Sequence, residues 1–70
     1  MSNISNQHFG TVAEFDHHRG LGVVESEDIR YVFHCAEIMD ETREIAVGAS
    51  VSFFPVERFG LLEASQVVKL

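Results

Sequence analysis

The feature that most constrains this chain is the alternation between Arg19 and His34. Arg19-Gly20-Leu21-Gly22-Val23-Val24 is followed by the polar run Ser26-Glu27-Asp28 and then by Ile29-Arg30-Tyr31-Val32-Phe33-His34. Successive side chains on a strand point to opposite faces. Two antiparallel strands joined by the acidic turn therefore send Tyr31 and Phe33 inward. They display Leu21, Val23, Arg30, Val32 and His34 on the other face. The rest of the chain has to close a small sheet around this pair.

Phe9 to Phe15 predicts a strand before it, and Asp16-His17-His18-Arg19-Gly20 predicts a loop with turn formers at both ends. Strands two and three are expected from Leu21 to Glu25 and from Ile29 to His34. Cys35 to Gly48 breaks the alternation and reads as a short helical turn followed by a connecting loop, its acidic residues a solvated face. Ser50 to Val56 predicts a fourth strand with Val51 and Phe53 on one side. Pro55 cannot donate to a ladder, so that strand is at an edge or bulged there. A hairpin turn at Arg58-Phe59-Gly60 and a last strand from Leu61 to Leu70 complete the chain. Gly22, inside a strand, marks a bend or a close approach by a neighbour. Five short strands with one longer connection predict an all-β, five-stranded antiparallel Greek-key β-barrel, because closure removes exposed edges. Residues 1–8 are unpatterned and expected as a flexible tail, with the domain at 9–70.

Charge restricts the partners. Eleven Asp and Glu stand against five Lys and Arg, for a net charge of −6. Nucleic-acid affinity draws on cations that release condensed counterions. Here Arg19, Arg30, Arg43, Arg58 and Lys69 are scattered, which argues against tight non-specific binding. Cys35 is the one cysteine, so no internal disulfide forms, and its expected place is semi-buried rather than reactive. The apolar runs are far shorter than the roughly 20 residues of a membrane span. Neither a membrane nor a secretory signal is indicated, and the expected setting is cytoplasmic. His8, His17, His18 and His34 lack metal-ligand spacing, so no metal or other cofactor is expected. No nucleophile elbow, phosphate loop or triad spacing supports an enzyme.

The order of residues resembles the cold-shock domain, a five-stranded barrel of the oligonucleotide-binding (OB) type. Gly10-Thr11-Val12-Ala13-Glu14-Phe15-Asp16 stands where the family has Gly-Thr-Val-Lys-Trp-Phe-Asn. Arg19-Gly20-Leu21-Gly22-Val23-Val24 is similar to Lys-Gly-Phe-Gly-Phe-Ile, and Tyr31-Val32-Phe33-His34-Cys35 to Val-Phe-Val-His-Phe. Gly48, Val51-Ser52-Phe53, Ala64 and Val67 follow in the family's order. The resemblance covers residues 9–70 and implies a module that binds single-stranded RNA or DNA.

The binding aromatics are mostly replaced. The motif Trp is Glu14, the motif Phe residues are Leu21, Val23, Val32 and Cys35, and the motif Lys is Ala13. Each base–aromatic stack is worth roughly 1–3 kcal/mol, so the resemblance implies weakened affinity. A strand would cross Phe15, Leu21, Val23, Val32 and His34, with Arg19 and Arg30 on phosphates. Unperturbed His titrates near pH ~6.5, so affinity is expected to rise as pH falls through that region. The alternative is a barrel that has lost its nucleic acid. It would use the Leu21/Val23/Val32 face for a homodimer or a protein partner, since contiguous apolar patches mark interaction sites.

Overall fold

The computed structural model describes residues 7–70, so residues 1–6 of the expected tail lie outside the described residues. Five strands form: β1 (His8–Asp16), β2 (Leu21–Ser26), β3 (Ile29–His34), β4 (Ser50–Arg58) and β5 (Leu61–Lys69). A 3-10 turn over Cys35–Glu37 opens the long connection. The first strand thus starts at His8, which pairs with Phe53, one residue before the boundary read from the sequence.

The strands close into a barrel in the order β1-β2-β3-β5-β4. The expected barrel is there, with one correction: it is not antiparallel throughout. The β3–β5 seam is parallel, with Val32 opposite Glu63. Directions that alternate around a ring cannot close on an odd number of strands, so one of the five seams must run parallel. That seam is also the thinnest, because parallel neighbours here share a single paired position.

Two of the three hairpin turns, β2–β3 and β4–β5, are two residues long with positive φ at each central position: Glu27 and Asp28 (53° and 67°), then Phe59 and Gly60 (53° and 81°). Such turns carry the twist that antiparallel strands need. The core packs Val12, Val24, Tyr31, Phe33, Ile38, Ile45, Val51, Phe53, Ala64 and Val67. Tyr31 and Phe53 meet with ring centroids 4.9 Å apart. Ile38 and Ile45 come from the connection, which crosses one end of the barrel. Backbone bonds from Met39 N–H to the Val67 carbonyl and from Gly48 N–H to the Val12 carbonyl fasten it there.

Gly22 is the close approach that the sequence implied. A Cβ there would lie 2.5 Å from Cζ of Phe33 and 2.8 Å from the Glu14 carbonyl oxygen. The Phe33 ring fills that space and stacks on Phe15 at a centroid distance of 6.0 Å, 11° from parallel. Pairing between β1 and β2 slips between Val12 and Glu14. This bulge reverses the phase of the strand: Glu14 turns out and Phe15 turns in. Pro55 lies beyond Ser50–Phe53, the part of β4 that pairs with β1. The strand has only β5 beside it at that point, so the missing N–H leaves no gap in a ladder.

Two predictions follow from this packing. Gly22→Ala should cost about 2 kcal/mol, the usual scale of overpacking, measured as a lowered urea midpoint. An unchanged midpoint would mean that Phe33 yields without strain. The second concerns Asp40, whose carboxyl is held down at about 2 by the Lys69 ammonium first and then by the Thr42 N–H and hydroxyl. A carboxylate with a depressed folded-state pKa adds stability above its ordinary value of 3.8, and that contribution disappears as pH falls toward 2. Lys69→Ala should move the Asp40 titration, followed by its carboxyl carbon shift, back toward 3.8.

Candidate nucleic-acid interface

Register places the predicted residues in rows on one outer wall. Leu21 stands opposite His34, Val23 opposite Val32, and Glu25 opposite Arg30. On β1, Glu14 faces Val23 and Asp16 faces Leu21; on β5, Glu63 lies beside Val32. Leu21 and Val32 are 39% and 44% exposed, and Val23 is half-buried between them. The aliphatic strip is therefore contiguous and open to solvent.

Two shallow depressions meet along this strip. One, of about 280 Å³, is lined by Phe15, Arg19, Leu21, Val23 and Val32 together with Glu14 and Asp16. The other, of about 290 Å³, shares Leu21 and Val32 and runs over the β3–β5 seam to His34, Glu37, Arg58 and Ser65. The structure thus brings Phe15, Arg19, Leu21, Val23, Val32 and His34 into one trough. Arg30 lines neither depression and sits at its margin.

Phe15 takes a different place from the one expected. The β1 bulge puts it on the inward phase, stacked on Phe33, so it offers the trough only part of a half-buried ring. Arg19 is set by the loop before β2. The Asp16 side chain accepts the backbone N–H groups of His18 (3.0 Å) and Arg19 (3.1 Å), and its other oxygen lies 3.7 Å from Arg19 Nε. The Arg19 N–H bond, aided by the His18 N–H and the Arg19 charge, holds the Asp16 carboxyl below the usual range. The Arg19 cation is therefore accompanied by an anion within its own loop.

Arg30 is accompanied more closely. Its Nη1 donates to Glu25 and its Nη2 to Glu14, each at 2.5 Å. These bonds, Glu14 first, push the guanidinium further above its ordinary value, so it stays charged. The Glu25 contact follows from a two-residue turn at Glu27-Asp28, one residue shorter than the Ser26-Glu27-Asp28 turn read from the sequence: Ser26 pairs with Ile29, which sets residues 25 and 30 opposite each other. The Glu14 contact depends on the bulge. Arg58 was also missed; it enters the trough from β4, paired with Glu63 at 3.5 Å.

His34 Nδ1 accepts the Ala36 N–H at 3.1 Å and caps the 3-10 turn. In the neutral ring this leaves the proton on Nε2, the nitrogen available to a ligand. Cys35 Sγ lies 3.9 Å from Nδ1 and is half-buried, with the backbone of Gly20 against it. Among the described residues, no group of three or more His, Cys, Asp or Glu side chains could hold a metal ion. No helix among them is long and apolar enough to cross a membrane.

No family model matches this sequence, and no curated protein does. Among solved structures, the chain is similar to Drosophila Unr CSD456, a cold-shock-domain chain, with a TM-score of 0.78 and 27% sequence identity. The match covers 91% of the present chain and 26% of that one, so this chain spans about a quarter of the neighbour's length. The strand order, the closed barrel and this likeness together give the chain a cold-shock-like OB fold.

Proposed function

We propose that this chain is a divergent cold-shock-domain protein that binds single-stranded RNA or DNA weakly and catalyses no reaction. The observation that carries the proposal is the trough. Leu21, Val23, Val32 and His34, which stand at the family's contact positions, lie side by side on one open wall of a barrel that matches Unr CSD456. Arg19 and Arg58 lie at its margins as phosphate contacts. Weakness follows from chemistry. Aliphatic side chains lack the π-face that makes base stacking strong, and the nearby cations are shared with Asp16, Glu14, Glu25 and Glu63. Cys35 lies 3.9 Å from His34 Nδ1, which is occupied by a backbone N–H and so is not free to act as its base. A cytoplasmic setting goes with this role.

One observation favours a second use of the same wall. Carboxylates of Glu14, Asp16 and Glu63 border Leu21, Val23 and Val32, an arrangement that suits a protein partner carrying an apolar anchor flanked by Lys or Arg. A second copy would bring like charge to the interface.

Anisotropy of a labelled pyrimidine-rich oligonucleotide tests the proposal. Binding should appear at low salt and fade at physiological salt. With two phosphates neutralised, log Kobs should fall against log[salt] with a slope of about −1.4. Leu21→Glu should weaken binding about tenfold, the scale of one lost base contact, with the thermal midpoint nearly unchanged. A folded wild-type protein that binds nothing at low salt would remove the nucleic-acid role. Sedimentation at high concentration would then separate a monomer from a self-associating barrel.

A further inference from the structure

The two carboxylates around Arg30 change what that side chain can do. One end of its fork donates to Glu25 on β2 and the other to Glu14 on β1. A phosphate approaching this edge meets two anions before it meets a free N–H. Two of its five N–H groups are taken and its charge is matched twice over. These bonds lie in the guanidinium plane and leave the flat face uncovered by them, with half of the side chain exposed.

That face is also held still. An unpartnered surface arginine moves among many rotamers. Here Nη1 and Nη2 are tied to two different strands, with Arg30 itself on the third. The guanidinium is planar, delocalised and weakly hydrated, and it stacks on aromatic faces. Single-stranded bases stack on arginine planes much as they do on aromatic rings. Arg30, Val32 and His34 share one face of β3, so Arg30 and His34 lie about 13 Å apart along the strand at ~3.3 Å per residue. The wall thus has a flat group at each end of β3 and an aliphatic step between them.

We propose that Arg30 is a base-stacking platform rather than a phosphate contact, with Glu14 and Glu25 as its positioning residues. This rests on the nucleic-acid role proposed above. The ligand class is a single strand presenting one unstacked base at this margin. A purine suits it better than a pyrimidine, since the larger ring system covers more of the guanidinium. The sequence alone assigns Arg30 to phosphate because a lone cation next to an aliphatic face suggests charge recognition. The carboxylate pair directs it to the base instead.

The experiment uses the whole chain and two labelled seven-nucleotide DNAs, one all thymine and one with a central adenine. The wild type should prefer the adenine-bearing strand. Arg30→Lys keeps the charge and loses the plane. It should bind that strand about tenfold more weakly, the scale of one base stack, with the salt slope unchanged. Arg30→Trp should bind at least as tightly as the wild type. On saturation, the Arg30 Nε–H resonance should move upfield under the ring current of the base. Arg30→Lys binding like the wild type, or Arg30→Trp losing about 0.7 from the salt slope as removal of one phosphate contact would, overturns the stacking role and leaves nucleic-acid binding intact. A folded wild type that binds neither strand overturns both.

Discussion

The row Phe15–Gly22–Phe33 is the constraint on which the wall depends. Phe33 lies over β2 only because Gly22 offers no side chain, and Phe15 stacks against it from β1. Once Gly22 faces inward, Leu21 and Val23 have to face outward, because strand side chains alternate with period two. A slip of β2 by one residue would turn both inward and turn Gly22 and Val24 out. The outward strip is therefore the complement of the interior packing, and its position is as firm as that packing. The Ser26 hydroxyl, donating to the Phe9 carbonyl at 2.7 Å, ties the far end of β2 to β1 in the same register.

Electrostatics give this wall its particular character. Arg19, Arg30, Arg58 and Lys69 each have a carboxylate within an ion-pair distance. With a net charge of −6 and its cations shared locally, the molecule has little field with which to attract a polyanion. Exposed pairs of this kind add little stability. Their consequence is for the proposed role: contact with a nucleic acid would have to come mainly from surfaces that fit bases. The wall is suited to that, being aliphatic along the trough floor and flat at His34 and at Arg30 on the margin.

Much of the fold was legible because its signals are local. Alternation marks β2 and β3, and Gly22, Gly60 and the acidic Ser26-Glu27-Asp28 run mark the bend and turns to within a residue. The departure at Phe15 is instructive. Counting outward from Val12 with strict alternation puts Phe15 on the surface and Glu14 inside. The bulge at Ala13 exchanges them, and no residue type at that position announces it. The parallel seam is of a different kind, since it follows from closing an odd number of strands, and Arg58 reaches the trough across it.

The sequence by itself determined which side chains of β2 and β3 face out, since the period of two fixes that within each strand. It did not determine the Glu25–Arg30 pairing, because the acidic run reads as a three-residue turn and the structure closes it with two. Only the tertiary structure decided that Glu14 reaches Arg30 across sixteen positions of chain, that Phe15 belongs to the interior, and that β5 lies beside β3. Those three depend on a strand irregularity and on barrel closure. Both are set by how distant segments pack, and neither leaves a periodic trace in the order of residues.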